Sequence, residues 1–168
     1  MPATAKLATA TAKRPAPAAP KERVLVITRL LDAPPSLVFK VWTEPEHIAR
    51  WWGCGQTRAA TVSKCDLRPG GAWRVVMRLA DGSEHRLCGV YREIVAPERL
   101  AFTWAWEDAD GNLGHETLVT LTFAERGSKT EMTLRHAVFE TTEMRDLHGE
   151  GWTVSLDRLA AYLATAAA

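Results

Sequence analysis

Tryptophan stands out in this chain, with 7 copies among 168 residues. An indole ring offers a large flat surface for packing, and its N–H requires a hydrogen-bond partner when buried. The period-two alternation of the predicted strands places one set of apolar side chains on a single face: Trp73, Met77, Phe102, Trp104 and Trp106. Trp152 lies on the apolar stripe of a predicted C-terminal helix, and Trp52 ends a short helix. Two interpretations stay open, since these rings either line a cavity or fill the interior.

His136 is the strongest polar candidate, because it shares strand parity with Met132 and Leu134. A histidine that faces a pocket can hydrogen-bond a ligand or transfer a proton near neutral pH. The alternative is a histidine paired with a nearby backbone group or carboxylate. His148 precedes Trp152 by four residues, so it lies either near the pocket rim or in solvent. The predicted ligand-binding set is Trp52, Trp73, Met77, Phe102, Trp104, Trp106, His136 and Trp152.

No HExxH, GxSxG, P-loop or GxGxxG pattern occurs in the sequence, so no catalytic residue, metal site or cofactor is predicted. Cys54, Cys65 and Cys88 stand at wide spacings that suggest neither a zinc site nor a disulfide framework. Reduced thiols favour a cytoplasmic location. A cyclase-type enzyme stays open as an alternative, because that activity needs little beyond a shaped apolar cavity and one or two polar groups.

The net charge of +1 gives no reason to expect nucleic acid as a partner. The hydrophobic content of 46% suits one domain with a sizeable core. No apolar run approaches the roughly 20 residues of a membrane span. Residues 1–22 are rich in Ala, Thr, Pro and Lys and contain no aromatic residue. Such a segment cannot bury enough apolar area to offset its ordering entropy, so we predict a disordered tail followed by one domain over residues 23–168.

The elements that must position the candidate residues follow from periodicity. A β-rich opening segment, Val24 to Leu31, precedes two short helices that are separated by Pro45. Six further strands follow, with turns at Pro69-Gly70-Gly71, Asp81-Gly82, Pro97-Glu98 and Asp110-Gly111. From Thr142 the apolar spacing changes to fours and threes, which predicts a helix of about 24 residues. Tight turns between successive strands predict an antiparallel meander. One helix can cover a face of seven strands only if the sheet curves around it.

The ordered set of local motifs resembles the SRPBCC superfamily, also called START-like or birch-pollen-allergen-like. Within it, the chain is similar to the branch related to the C-terminal domain of the activator of the heat-shock-protein-ninety ATPase. The motifs that carry the resemblance cover residues 23 to about 165: Val38 to Trp42, Pro45 to Trp52, Pro69 to Trp73, Gly89 to Ile94, Pro97 to Leu100, Phe102 to Trp104, Val119 to Phe123, His136, and Gly151-Trp152 with Leu156 and Leu159.

The resemblance implies the α+β helix-grip fold, in which a curved seven-stranded antiparallel sheet surrounds a long C-terminal helix. It implies no single activity, since relatives include binders of hydrophobic ligands, lipid transporters, polyketide cyclases and aromatases, and co-chaperone domains. We expect binding or carriage of an apolar small molecule between sheet and helix, with aromatic compounds among the candidates, rather than catalysis. A cyclase or aromatase activity and a co-chaperone interaction are the alternatives. The chain is expected to be too short for the activator's companion N-terminal domain, which weakens the co-chaperone alternative, and a homodimer stays open.

Overall fold

The computed structural model describes residues 20–166, and this part of the chain has an α+β architecture. Strand β1 (Leu25–Leu31) is followed by α1 (Pro35–Thr43) and α2 (Pro45–Trp51). Six strands and one long helix then complete the element order: β2 (Thr57–Cys65), β3 (Ala72–Leu79), β4 (Glu84–Val95), β5 (Arg99–Glu107), β6 (Thr117–Arg126), β7 (Lys129–Ala137) and α3 (Thr142–Ala166). The predicted helix-grip fold is confirmed, including the two short helices after the first strand.

The seven strands form one antiparallel sheet in the order β1-β7-β6-β5-β4-β3-β2. Strand β1 pairs with β7 because α1 and α2 carry the chain across the sheet before the meander from β2 to β7 begins. The sheet curls around α3, so that alternate residues of each strand face the helix. On β6 the alternation is regular, with Val119, Leu121 and Phe123 buried and the residues between them half-buried.

The two halves of α3 differ in what they bury. Leu156, Leu159 and Leu163, all in the second half, are essentially inaccessible and join the main core. The first half begins at Thr142 and contains Gly149 and Gly151, and its Leu147 is 63% exposed. A side chain at Gly149 would meet Leu25 of β1 at 3.3 Å, so this glycine permits close approach of the helix to the edge strand.

The start of the domain is held by residues just before β1. Pro20–Arg23 form a single 3-10 turn, which includes the last three residues of the predicted disordered tail. The rest of that tail, residues 1–19, lies outside the described residues. The backbone of Arg23 accepts a hydrogen bond from the Phe139 N–H at 3.0 Å, and its guanidinium donates to the Phe139 carbonyl at 3.0 Å. Phe139 is 2% exposed and packs on two histidines of the interior.

These contacts predict different effects for two truncations. Removal of residues 1–19 is expected to change the free energy of unfolding by less than about 0.5 kcal/mol, because their composition gives them little apolar area to bury. Removal of residues 1–23 also deletes both Arg23 bonds, which is expected to cost about 1 to 3 kcal/mol. Chemical denaturation of both truncated proteins measures the difference. Equal stabilities of the two would contradict the anchoring role of Arg23.

Candidate functional site

The interior contains a continuous aromatic cluster with Trp104 of β5 at its centre. The Trp104 ring has six aromatic neighbours with centroids 5.1 to 6.2 Å away: Trp52, Trp73, Trp106, His136, His148 and Trp152. Its closest approach to parallel stacking is with Trp52, at 5.6 Å and an interplanar angle of 29°. Trp104 is only 6% exposed. Aromatic pairs of this kind contribute about 0.5 to 1.5 kcal/mol each beyond their buried area, so the cluster is a substantial part of the core.

A cavity of about 410 Å³ lies beside this cluster, between the first half of α3 and the sheet. Strands β3, β4 and β5 form one wall, the loop after α2 forms a second, and α3 forms the third. The lining residues are Trp52, Gly53, Cys54, Gly55, Met77, His85, Leu87, Trp104, Trp106, Leu147, His148, Glu150, Gly151, Trp152, Val154 and Ser155. Apolar side chains and four indole rings make up most of this wall. The cavity exists because α3 presents Gly151 here, where its second half presents leucines.

His136 lies outside the cavity wall, because its ring is completely buried behind Trp152. The Trp152 indole N–H donates to His136 Nδ1 at 3.0 Å, which leaves the proton on Nε2. His136 Nε2–H therefore donates to Thr117 Oγ1 at 2.6 Å, and that hydroxyl donates to the Trp104 carbonyl at 3.2 Å. Burial, and then the proximity of His148, hold the His136 pKa well below its ordinary value. This histidine is a neutral structural link between α3 and three strands.

His148 does line the cavity, and both of its ring nitrogens are occupied. Its Nε2 accepts the indole N–H of Trp106 at 2.9 Å. The proton must then be on Nδ1, which donates to the Met144 carbonyl at 2.7 Å. Burial lowers the His148 pKa, while the bond to Met144 opposes that shift. Two indoles of the wall, Trp106 and Trp152, are thus each fixed by a neutral imidazole.

The structure brings five members of the predicted ligand-binding set to the cavity wall: Trp52, Met77, Trp104, Trp106 and Trp152. Trp73 and Phe102 instead line a separate cavity of about 20 Å³ beneath α1 and α2. Trp73 is directed there because its N–H donates across Gly89 to the Thr103 carbonyl at 3.1 Å, and a side chain at Gly89 would collide with that indole. Ligand contact by the five wall residues stays a prediction. For Trp73, Phe102 and His136, strand parity gave the correct face but not the position along it.

Several lining residues are absent from the predicted set, notably those at the cavity mouth. Cys54 and Gly55 belong to the loop after α2, whose path the periodicity does not fix. On α3, Leu147, Gly151 and Val154 are spaced by four and three residues, immediately beside the stripe that contains His148 and Trp152. The helical spacing alone therefore indicated that these three residues share one face of α3. Their mixed Leu, Gly and Val composition does not indicate that this face lines a cavity.

Within residues 20–166 no helix combines the length and apolarity required to cross a membrane. The same part of the chain contains no group of three or more His, Cys, Asp or Glu side chains arranged to hold a metal ion. The three cysteines are free, and all are partly buried.

The fold and the site define a helix-grip protein with an apolar cavity, a class that commonly binds hydrophobic ligands. The sequence model of the family described as Activator of Hsp90 ATPase homolog 1-like protein matches residues 32–164. The chain belongs to this family, which confirms the resemblance noted from the sequence. Among proteins with curated descriptions, the comparison finds no significant match.

Solved structures of similar proteins share the fold over most of their length. A protein from Chromobacterium violaceum is 27% identical with a TM-score of 0.76, and the alignment covers 84% of this chain and 96% of that one. The AHSA1 protein from Silicibacter pomeroyi is 29% identical with a TM-score of 0.75, with coverages of 84% and 98%. CalU16 from Micromonospora echinospora is 27% identical with a TM-score of 0.62, with coverages of 83% and 75%.

The buried histidine predicts how stability depends on pH. The folded protein keeps His136 neutral below its ordinary pKa of about 6.5, whereas the unfolded chain takes up a proton there. The unfolded state therefore binds more protons, and the free energy of unfolding is expected to fall as pH decreases from 7 towards 5, by up to about 1.4 kcal/mol per pH unit for this group. Urea denaturation at several pH values measures the slope.

The variant His136→Gln isolates this contribution. A glutamine amide can accept from Trp152 with its oxygen and donate to Thr117 with its nitrogen, but it does not titrate. The variant is expected to show a shallower decline in stability between pH 7 and pH 5 than the wild type. An identical slope in both proteins would show that His136 does not carry the effect.

Proposed function

We propose that this protein binds and carries a flat, apolar small molecule in the 410 Å³ cavity between α3 and strands β3 to β5. The observation that supports this most strongly is the wall itself, in which four indoles surround an open space that the core leaves unfilled. A cavity of this size is within the range of small-molecule sites, which are mostly apolar and carry few polar groups. Flat ligands gain the most from such a wall, because offset stacking on indoles adds to burial of apolar area.

Binding is favoured over cyclase-type catalysis by the state of the two interior histidines. A general acid or base must reach the reacting group with a free nitrogen or proton. His136 is enclosed behind Trp152, and both nitrogens of His148 already have partners. The other ionisable side chains of the wall are His85 and Glu150, which are exposed at the mouth, and Cys54.

The unpaired cysteines accord with the proposed cytoplasmic location.

Gly151 offers a way to close the cavity without damaging the fold. A Cβ at Gly151 would have its nearest contact, the Cys54 Cβ, at 3.9 Å, which is an ordinary van der Waals distance. The variant Gly151→Leu therefore introduces its Cβ without a clash, at a position that lines the cavity. Leucine also favours the helix over glycine by about 0.8 to 1 kcal/mol, so the variant is expected to be at least as stable as the wild type.

Binding can be measured with N-phenyl-1-naphthylamine, an uncharged probe whose fluorescence increases in apolar sites. The wild type is expected to bind it saturably, and Gly151→Leu to weaken binding by roughly tenfold or more, because the probe and the leucine compete for the same space. Thr153→Leu is the matched control, since Thr153 is exposed on the same helix and outside the wall. Equal affinity in wild type and Gly151→Leu would place the site elsewhere, and a wild type without saturable binding would refute the proposed function.

A further inference from the structure

The hydrogen bond between Trp106 and His148 is part of the cavity wall, and it exists only while His148 is neutral. Trp106 donates its indole N–H to His148 Nε2 at 2.9 Å, and His148 Nδ1–H donates to the Met144 carbonyl at 2.7 Å. Both rings belong to residues that line the cavity. A second proton adds at Nε2, because that nitrogen carries none, and Nε2 then becomes a donor that faces another donor.

Trp152 and His136 form the same kind of bond, but their surroundings differ. His136 is completely buried, and its Nε2 is bonded to Thr117 Oγ1 at 2.6 Å. His148 is only partly buried and borders the open space of the cavity. Burial lowers the pKa of both imidazoles, that of His136 further than that of His148. His148 is therefore the first of the two to take up a proton as pH decreases.

The wall offers little to stabilise a charge on His148. The rings that pack against it are uncharged and belong to Trp104 and Trp106 of β5 and to Phe139 after β7. The titratable groups around it are His136 of β7, His85 of β4, Cys54 after α2 and Glu150 of α3. The two other histidines oppose a positive charge when they are protonated themselves. The Glu150 carboxylate favours one, but it is exposed to solvent, which weakens the attraction.

A ligand in the cavity makes the protonated state less favourable still. Without a ligand, water in the cavity can accept hydrogen bonds from the added Nε2–H of His148 and from the released N–H of Trp106. A ligand that displaces this water leaves two donors and a positive charge against an apolar surface. Ligand binding and protonation of His148 therefore oppose each other, and each weakens the other by the same factor.

We infer that His148 is a proton-operated switch of the cavity: uptake of a proton at Nε2 breaks the hydrogen bond to Trp106 and releases the ligand. The inference rests on the proposed function, because it concerns regulation of the same cavity. At neutral pH both imidazoles hold their wall indoles in place. At mildly acid pH Trp106 is released, while the bond between Trp152 and His136 still fixes α3 to the sheet. The ligand is thus released from a protein that stays folded.

The affinity for N-phenyl-1-naphthylamine at several pH values tests the switch, because this diarylamine stays uncharged between pH 5 and pH 7. The wild type is expected to bind it roughly threefold or more weakly at pH 5 than at pH 7, with a limit of about tenfold per pH unit. His148→Gln is expected to lose most of this dependence. Its amide oxygen can accept from Trp106 and its nitrogen can donate to the Met144 carbonyl at every pH.

His85→Gln is the matched control, because His85 lines the same cavity but forms no hydrogen bond to a described residue. It is expected to keep the wild-type dependence, and circular dichroism at each pH checks that all three proteins are folded. Equal losses of affinity in wild type and His148→Gln, or a constant wild-type affinity, would overturn the inference and leave the proposed function standing. If the wild type does not bind the probe at pH 7, the proposed function fails and the inference with it.

The indole N–H resonances of the wild type give a second test that needs neither a variant nor a ligand. As pH decreases, the Trp106 resonance is expected to shift upfield together with the titration of the His148 ring, because its N–H exchanges an imidazole acceptor for water. The Trp152 resonance is the internal reference and is expected to shift only at lower pH, since His136 is completely buried. A Trp106 resonance that stays constant while His148 titrates, or a His148 ring that stays neutral until the protein unfolds, would overturn the inference.

Discussion

One hydrogen-bonded chain holds the site together, and it runs from α3 through the sheet. Trp152 donates to His136, His136 donates to Thr117, and Thr117 donates to the carbonyl of Trp104. The chain crosses from α3 to β7, β6 and β5 in sequence, and every polar atom in it has a partner. Buried polar networks of this kind are stabilising when complete and costly when broken, so they define one arrangement of the elements. The helix is therefore fixed to the sheet at Trp152, at the point where the cavity meets the core.

The position of the cavity follows from what lies on either side of this attachment. Beyond Trp152 the helix presents Leu156, Leu159 and Leu163, which fill the space against the sheet. Before it the helix presents Gly151 and His148, and His148 is held back against Trp106 and the Met144 carbonyl. The same residues that anchor the helix thus prevent the wall indoles from collapsing into the open space. A core that lacked these bonds could rotate Trp106 or Trp152 inwards and close the cavity.

Periodicity predicted the fold well because each element buries one face. The alternation of Trp73, Val75 and Met77 and the helical spacing of Trp152, Leu156 and Leu159 both reflect burial against the same core. The glycine-containing turns and Pro45 indicated where one element ends and the next begins. Periodicity could not decide whether the indoles line a cavity or fill the interior, and the structure shows both: Trp104 packs in the core and also borders open space. Whether an indole borders the cavity depends on its rotamer and on the path of the loop from Gly53 to Gly55. Neither can be predicted from the periodic spacing of apolar residues.

His136 illustrates the limit of reasoning from strand parity. Its parity with Met132 and Leu134 correctly predicted an inward side chain, but its partners are an indole N–H and a threonine hydroxyl rather than the backbone group or carboxylate of the pairing alternative. The partners that enclose it, Trp152 and Thr117, are 16 and 19 residues away in sequence and meet it only through the packing of α3 on the sheet.

The central claim is that a small molecule occupies the space among Trp52, Trp104, Trp106 and Trp152. The most direct measurement is the set of indole N–H resonances in a ¹H–¹⁵N NMR spectrum, recorded while N-phenyl-1-naphthylamine is added. The resonances of these four indoles are expected to shift, while that of Trp51, which is bonded to the Val41 carbonyl and lies outside the wall, is expected to shift far less. Unchanged indole resonances at saturating probe, or shifts confined to residues away from the cavity, would contradict the claim.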